Sequence, residues 1–277
     1  SLVGSEMCIR DRVGRVKYST SDYNLQRIDA VISGKITDGL YYMVGGYTSE
    51  SPGIRDAEFD SEKGEQVTAQ ITKEFDAGKV NVYARLTDDH GQWYLPISLN
   101  NPESDPGTFS QLGNATRYRR LQTSPDGQTQ LFDFADGRGW DGLVSGVNLD
   151  FDIGAGFRLK NNFNYVDGEA NTFGFVPAGS AVSVAAVEAV IGSPVTTQQG
   201  QTLNSNQFAQ TYGHWVVLKD LESFTNDLSL SKTFAETHDV TFGWYQSSFS
   251  ADDFWTIGNP IAVHNSQNGD VLSANIT

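Results

Sequence analysis

The chain has 277 residues, which is enough for one large β domain or two ordinary domains. Its net charge of -15 argues against nucleic-acid binding, because a phosphate backbone requires a basic surface, and its single cysteine excludes an internal disulfide. Hydrophobic residues make up only 38%, while 28 glycines and 12% aromatic residues favour many strands and turns, and no apolar run is long enough for a transmembrane helix.

The first twelve residues, SLVGSEMCIRDR, differ in character from the rest of the chain. They lack the apolar core of a signal peptide, and they resemble a translated sequencing-adapter leader. We therefore expect residues 1–12 to be a non-native leader, with a genuine disordered N-terminus as the alternative. At the other end, GDVLSANIT has the pattern of a strand without a closing segment. The sequence is thus interpreted as a fragment.

From residue 25 onward, segments of period-two alternation come in pairs joined by short connections. Glycine, aspartate and alanine occupy these connections, and glycine and aspartate supply the positive φ angles of tight hairpins. The four predicted turns lie at 37–39, 76–78, 153–155 and 235–238.

Each strand has one apolar side and one polar side. A membrane barrel directs the apolar side outward to lipid, whereas a soluble sandwich directs it inward. For a barrel, the predicted convex, lipid-facing set is Val80, Val82, Leu86, Val147, Leu149, Phe151, Leu228 and Leu230. The predicted concave set is Arg85, Gln70, Asn148, Asp150 and Asp227.

Between the hairpins the connectors are long, at about 49–64, 88–142, 167–222 and 250–270. Because they alternate with short turns, all of them fall at one rim, as in bacterial outer-membrane barrels. The predicted fold is all-β: a transmembrane antiparallel barrel fragment, a meander of about 9–10 strands, open because incomplete. Helical spacing in SAVSVAAVEAVIG predicts one short helix within 180–192.

Four phrases carry a resemblance to a known family. They are GRVKYSTSDYNLQRIDAVISGKITDGLYYMVGGYTSESPGIRD (14–56), EKGEQVTAQITKEFDAGKVNVYARLTDDHGQWYLPI (62–97), GRGWDGLVSGVNLDFDIGAGFRLKNNFNYVDG (137–168) and SKTFAETHDVTFGWYQSSFSADDFW (231–255). In their alternation of apolar and polar residues and in their sequence they resemble the barrel strands of TonB-dependent outer-membrane receptors. The likeness covers most of residues 13–277.

The resemblance implies a barrel of about 22 strands with an N-terminal plug, in the outer membrane of a Gram-negative bacterium. It implies active import of a scarce nutrient (a ferric siderophore, vitamin B12 or a saccharide), energised by the TonB complex through the plug, with outer-membrane lipid and lipopolysaccharide as surroundings. Residues 13–277 would be the N-terminal part of the barrel, without the plug and the C-terminal strands. The alternatives are a passive porin-type barrel and a secreted β-rich binding or adhesion module.

Enzyme chemistry, cofactors and metals have little support in the sequence. GRGWDG (137–142) matches a dinucleotide-binding pattern without its strand–helix context. The four histidines lack zinc-type spacing, no nucleophile elbow is visible, and a calcium site at Asp133, Asp136 and Asp141 misses the EF-hand spacing. We expect a protein that is not an enzyme, with no cofactor and no metal site.

The long loops are the predicted binding elements, because indole rings and guanidinium groups can hold an anionic or ring-shaped ligand. The candidate ligand-binding residues of the extracellular loops are Trp93, Tyr94, Arg117, Arg119, Arg120, Trp140, His214 and Trp215. The alternative role for the same residues is to hold the loops together or to contact lipopolysaccharide.

Overall fold

The fold is seen in a computed structural model that describes residues 12–101 and 108–273. Except for Arg12, the predicted leader lies outside the described residues. The strands are β1 (Val13–Ser21), β2 (Leu25–Thr37), β3 (Leu40–Ser51), β4 (Glu62–Phe75), β5 (Gly78–Gly91), β6 (Tyr118–Gln122), β7 (Thr129–Asp133), β8 (Arg138–Gly154), β9 (Phe157–Pro177), β10 (Val182–Ser183), β11 (Phe208–Phe234) and β12 (His238–His264). The helices are α1 (Asn114–Arg117), a 3-10 helix (Phe134–Asp136) and α2 (Val184–Ile191).

Ten strands form one antiparallel sheet in the order β1-β2-β3-β4-β5-β8-β9-β11-β12, and the two-residue β10 pairs with β11 beyond the end of β9. Strands β6 and β7 form a separate hairpin inserted between β5 and β8. Among the strands of the described residues, β1 pairs with no strand except β2, and β12 with no strand except β11, so the sheet is open. The predicted open meander of about 9–10 strands, consistent with an incomplete barrel, is confirmed.

Short turns and long connectors lie at opposite ends of this sheet, as predicted, with one exception. The turn rim, as we call it, consists of the connections 38–39, 76–77, 155–156 and 235–237, where Gly39, Ala155 and Ala235 have positive φ. The loop rim consists of the connectors 52–61, 92–137 and 178–207. The exception is the tight connection 22–24, which joins β1 to β2 at the loop rim.

The predicted loop boundaries were wrong, because the strands continue further towards the loop rim. Residues 88–91 belong to β5 and 138–142 to β8, while β9 and β11 include 167–177 and 208–222. The connectors are therefore 92–137 and 178–207. Strand β12 likewise continues through most of the predicted connector 250–270, to His264.

The strand register confirms the predicted division into two faces. Val82 lies opposite both Ile71 and Val147, and Leu86 lies opposite Leu143. Directly opposite residues share a face, so these side chains form a continuous apolar face. Val82 and Leu86 are 48% and 60% exposed, and the described residues contain no second sheet large enough to cover them.

The other side of the sheet, the polar face, carries hydrogen-bonded side chains. Thr72 donates to Asn81 at 2.9 Å, and Asn164 donates to the Tyr83 hydroxyl at 2.9 Å. The predicted polar residues also share this face, since Gln70 lies opposite Tyr83 and Asn148 lies opposite Asn81. Which face is convex stays a prediction.

The connectors at the loop rim fold into a compact layer, which we call the loop-rim cap (92–101, 108–137, 178–207 and 265–273, with the strand ends they contact). One core cluster joins the β6–β7 hairpin to the ends of β9, β11 and β12. Its buried residues are Leu121, Phe132, Phe134, Phe173, Phe175, Tyr212, Val216, Ile261, Val263 and Val271. A second cluster packs Val184 and Val187 of α2 against Val195, Leu203, Ala209, Ala262 and Leu272.

Helix α2 confirms the helix predicted within 180–192, and its ends follow from local chemistry. The Ser183 hydroxyl accepts a hydrogen bond from the Ala186 amide at 3.3 Å, which caps the N-terminus. Gly192 ends the helix with a φ of 71°, in the left-handed region that glycine adopts readily. No helix in the described part of the chain is long and apolar enough to cross a membrane.

Candidate functional site

All eight predicted binding residues lie at or near the loop rim, but they occupy different elements. Trp93 and Tyr94 follow β5, Arg117 ends α1, and Arg119 and Arg120 belong to β6. The remaining three were predicted in loops and lie in strands: Trp140 in β8, His214 and Trp215 in β11.

Arg117 acts as a clamp at the base of the β6–β7 hairpin. Its guanidinium donates to both carboxylate oxygens of Asp133, at 2.8 and 2.7 Å, and lies 4.6 Å from the ring centroid of Phe59. Burial opposes ionisation of Asp133, but the hydrogen bonds and charge of Arg117 together with the hydrogen bond from the Ala135 amide outweigh it and lower the pKa of that carboxyl. The same carboxylate caps the 3-10 helix by accepting from the Ala135 amide. Both groups are therefore engaged in holding the cap.

His214 is a core residue of the cap rather than a surface group. It is 2% exposed, and its ring lies 5.3 Å from that of Phe134 and 5.4 Å from that of Phe175. Its Nδ1 donates to the backbone carbonyl of Asn259. Burial, with a smaller contribution from the charge of Arg119, lowers the pKa of His214 to about 4. A neutral, enclosed imidazole cannot contact a ligand in this conformation.

The other two arginines of β6 differ in exposure. Arg119 is partly buried, and burial lowers the pKa of its guanidinium, whose Nε has no hydrogen-bond partner among the described residues. Arg120 is exposed. Of the predicted arginine cluster, Arg120 is thus the member whose side chain is open to solvent.

Tyr94 joins its own connector to the connector 52–61 and to the start of β4 by hydrogen bonds. The Tyr94 hydroxyl donates to the Glu62 carboxylate and accepts from the Ile54 amide at 3.1 Å, and burial raises its pKa to about 12. The adjacent cavity, lined by residues 92–97, 110–112 and parts of β9 and β11, measures about 50 Å³. Ligand pockets typically measure ~300–1,000 Å³, so this cavity is too small to hold a nutrient.

Three indoles form a row across the polar face near the loop rim. The rings of Trp93 and Trp215 meet edge to face with centroids 5.3 Å apart, and the rings of Trp215 and Trp255 lie 6.2 Å apart. Lys219, which is paired with Asp253 at 2.8 Å, places its Nζ 5.3 Å from the Trp255 ring centroid. We call Trp93, Trp215 and Trp255 the indole row.

Trp140 lies on the same face over two glycines. A β-carbon on Gly142 would come within 2.5 Å of the Trp140 ring, and one on Gly168 within 3.0 Å. The two glycines lie opposite each other in β8 and β9, and because they lack side chains they leave space for the indole ring to lie against the sheet; we call this pair the glycine seat. Trp140 lies opposite Asp89, whose carboxylate accepts a hydrogen bond from Tyr47 at 2.6 Å.

An open groove of about 360 Å³ lies between the tip of the β6–β7 hairpin and β12. It is lined by residues 122–125 and 254–259, and Trp255 at its wall is 59% exposed. The sequence interpretation missed Trp255 because it assigned 250–270 to a connector. The alternation of Asp253, Trp255 and Ile257 on the polar face is the signal that could have found it.

The described residues contain no group of three or more His, Cys, Asp or Glu side chains arranged to hold a metal ion. Asp133, one of three aspartates considered for calcium, is occupied by Arg117.

Comparison with known proteins gives only distant structural likeness. No protein-family model and no curated protein matches the chain. The chain is similar to the crystal structure of the siderophore receptor PiuA from Acinetobacter baumannii, with 9% identity and a TM-score of 0.35 over 92% of this chain and 50% of that one. It is also similar to the structure of the FpvAI–pyocin S2 complex, with 10% identity and a TM-score of 0.32 over 92% of this chain and 41% of that one. The chain spans half or less of the length of these structures, and likenesses of this strength assign no family to it.

Proposed function

We propose that the chain is part of the barrel of an active outer-membrane transporter, which binds a scarce nutrient at the loop rim and imports it with energy from the TonB complex. The observation that carries the proposal is the exposed apolar face of a single long-stranded sheet. Val67, Ile71, Val82 and Leu86 are each about half exposed, although they form one continuous patch. Soluble monomers rarely leave so large an apolar surface in water, whereas lipid would cover it favourably.

The two rims support an orientation for this barrel. Bacterial outer-membrane barrels have short periplasmic turns and longer extracellular loops. By that rule the turn rim would face the periplasm, and the loop-rim cap would face outside. The cap has its own hydrophobic core, which would give extracellular loops a fixed shape for recognition.

Within this proposal the residues fall into two roles. Trp93, Trp215, Trp140 and Arg120 would meet the nutrient, because they lie on the polar face or in solvent. Arg117 and His214 would support the cap, because their polar groups are engaged with Asp133 and Asn259. The nutrient would belong to the ferric siderophore, vitamin B12 or saccharide class, and coupling to TonB would pass through a plug.

The experiment measures which rim is outside. In a Cys8→Ser background, Gln128→Cys places a thiol beside the hairpin tip of the cap, and Ala77→Cys places one in a turn. A membrane-impermeant maleimide applied to intact cells should label the Gln128→Cys variant at once. The Ala77→Cys variant should be labelled only after the outer membrane is permeabilised.

Two results would contradict the proposal. Equal labelling of both variants in intact cells would contradict the assignment of the loop rim to the cell exterior and the turn rim to the periplasm. Recovery of the protein in the culture medium would favour a secreted module. Active transport is tested separately by nutrient uptake with and without a functional TonB complex. Uptake that is independent of TonB would favour a passive porin.

A further inference from the structure

We propose that the hydrocarbon of a lipid bilayer ends on the apolar face along an oblique line, which descends towards the turn rim from β1 to β12. The proposal rests on the proposed function, because it specifies which residues of that face contact lipid and at which depth each strand lies. It follows from where the apolar side chains stop on each strand. We call this line the lipid boundary.

Carboxylates end the apolar run on five adjacent strands. On the apolar face of β5, for example, Leu86 is followed by Asp88, which is exposed. The five pairs of last apolar residue and following carboxylate are Val67 and Glu65, Leu86 and Asp88, Leu143 and Asp141, Tyr165 and Asp167, and Phe224 and Glu222. All five carboxylate residues are exposed, and in the described part of the chain none of them pairs with lysine or arginine. Because hydrocarbon cannot solvate a carboxylate, lipid contact should end at this step.

Apolar residues that follow these carboxylates on the same face belong to the loop-rim cap. Phe173 of β9 and Val216 of β11 are buried in the cluster that joins the β6–β7 hairpin to the sheet. They are therefore covered by protein, whereas Val82 and Leu86 are about half exposed. The carboxylates thus separate an open apolar surface from a closed one.

The lipid boundary is not parallel to the rows of residues that lie directly opposite one another across the strands. Asp88 and Asp141 share one row. Asp167 and Glu222 share the next row towards the turn rim, because Asp167 lies opposite Leu143. On β12 the run ends still nearer the turn rim, at Trp244, which is followed on this face by Gln246.

The whole sheet gives the slope of this boundary. On β1 the last apolar residue is Tyr18, whose row passes through Glu65 on β4. The row of Trp244 passes through Lys73 on β4. Glu65 and Lys73 are eight residues apart, and eight strand-to-strand steps lead from β1 to β12. The boundary therefore descends by one residue per strand on average.

This slope matches the geometry of a closed barrel. A stagger of one residue per strand corresponds to strands tilted by about 36° from the barrel axis, and outer-membrane barrels tilt by ~35–45°. The plane of the bilayer is then oblique to the rows by the same angle. From Leu143 to Phe151, β8 rises ~26 Å along the strand, or about 21 Å in height at this tilt, close to the ~25 Å of a lipid-facing band.

Two polar residues lie inside the band, and they satisfy each other. Asn161 of β9 donates a hydrogen bond to the side chain of Asn226 of β11 at 2.8 Å. A polar group that is hydrogen-bonded costs much less to place in an apolar medium than one without a partner. These amides are therefore compatible with lipid contact, unlike the carboxylates at the boundary.

The test measures the depth of nitroxide spin labels in the protein produced from its complete gene and reconstituted into phosphatidylcholine vesicles. Single cysteines are introduced into a Cys8→Ser background and labelled, and heat-modifiable gel migration confirms that each variant has assembled. Oxygen concentrates in hydrocarbon and a nickel chelate stays in water, so the ratio of their collision rates with a label gives its depth. The main comparison is Val82→Cys with Gln246→Cys, because these two positions share a row.

The two labels should differ in depth although they share a row. Four strand steps of ~4.8 Å separate β5 from β12, so at a tilt of about 36° the label at position 246 should lie about 11 Å nearer the water on the loop-rim side. The label at position 82 should collide mainly with oxygen, and the label at position 246 mainly with the nickel chelate. Ala84→Cys and Ser248→Cys, which also share a row, repeat the comparison at small side chains.

The matched control reverses the relation between row and depth. Tyr18→Cys and Trp244→Cys lie eight residues apart in register and should report nearly the same depth. A boundary that followed the rows would instead separate these two labels by about 26 Å.

The outcomes distinguish this inference from the proposed function. Equal depths at positions 82 and 246, with both labels in hydrocarbon, would overturn the oblique boundary and leave lipid contact intact. A wide separation of the labels at positions 18 and 244 would overturn it as well. Preference of the labels at positions 82 and 84 for the nickel chelate would refute lipid contact, and with it both the inference and the transporter.

Discussion

Phe134 connects the loop-rim cap to the sheet, and its removal is the sharpest test of how the cap is held. The side chain is 2% exposed. Its ring stacks on Phe175 at 4.6 Å, lies 5.8 Å from Phe173 and meets His214 edge to face at 5.3 Å. Phe134→Ala would remove all three ring contacts and leave a cavity at the junction of the hairpin with β9 and β11.

The expected magnitude follows from these contacts. Truncation of a buried phenylalanine to alanine costs about 3–5 kcal/mol, through lost transfer free energy and the cavity. That total includes about 0.5–1.5 kcal/mol for each aromatic pair that is lost. Because the ring contacts of Phe134 with the sheet are confined to the ends of β9 and β11 at the loop rim, the loss should fall on opening of the cap. An opening equilibrium would then rise by about a hundredfold to a few thousandfold.

Amide hydrogen exchange measures this opening directly. The Phe173 amide donates to the Gly137 carbonyl at 2.7 Å, so its exchange reports separation of the 3-10 helix from β9. Exchange at Phe173 should accelerate in Phe134→Ala, while amides in the β4–β5 pair should be unaffected. The matched control is Leu131→Ala in the same hairpin, where the side chain is 53% exposed and little should change.

Two results would refute this reasoning. Unchanged exchange at Phe173 in Phe134→Ala would mean that the cap is held by other contacts. Equal acceleration throughout β4 and β5 would mean that the cap and the sheet open as one unit, without separate local stability.

Three further predictions concern the same rim. Arg117→Ala should destabilise the cap by about 1–3 kcal/mol because it leaves the Asp133 carboxylate partly buried without its cation. A double-mutant cycle with Asp133→Ala, measured by protease resistance of the cap, should show positive coupling between the two residues. Additive losses of stability would contradict the pairing. His214 has a pKa of about 4 in the fold, below its unfolded value of about 6.5. Its contribution to the stability of the cap is therefore complete above pH 6.5, and the cap should lose up to ~1.4 kcal/mol per pH unit as the pH falls from 6.5 to 4. His214→Gln should flatten this pH dependence when protease resistance of the cap is measured against pH. Gly142→Ala should cost about 1–3 kcal/mol by displacing the Trp140 ring, and Trp140→Ala should recover part of that loss in denaturant unfolding, whereas no recovery would contradict the glycine seat.

The sequence by itself determined the features that depend on local geometry. Alternation in β5 and β8 placed Val82 and Val147 on one face, because the pleat of a strand alternates side chains whatever surrounds it. Turn residues such as Gly39 set the hairpins through their positive φ, and Ser183 and Gly192 set the ends of α2. Each of these features follows from interactions among residues close in the chain.

The tertiary structure alone decided how far the strands continue and what the loop rim is made of. Strands β9 and β11 extend past β8 because Phe175 and Tyr212 find partners in Phe134, Leu121 and Val263, which are distant in sequence. Local patterns at the strand ends cannot specify such contacts, so Trp140, His214 and Trp215 were assigned to loops. The pairing of Arg117 with Asp133 and of Gln122 with Asn259 likewise depends on where the β6–β7 hairpin packs. Long-range packing thus gave Arg117 a supporting role in the cap, which local sequence could not indicate.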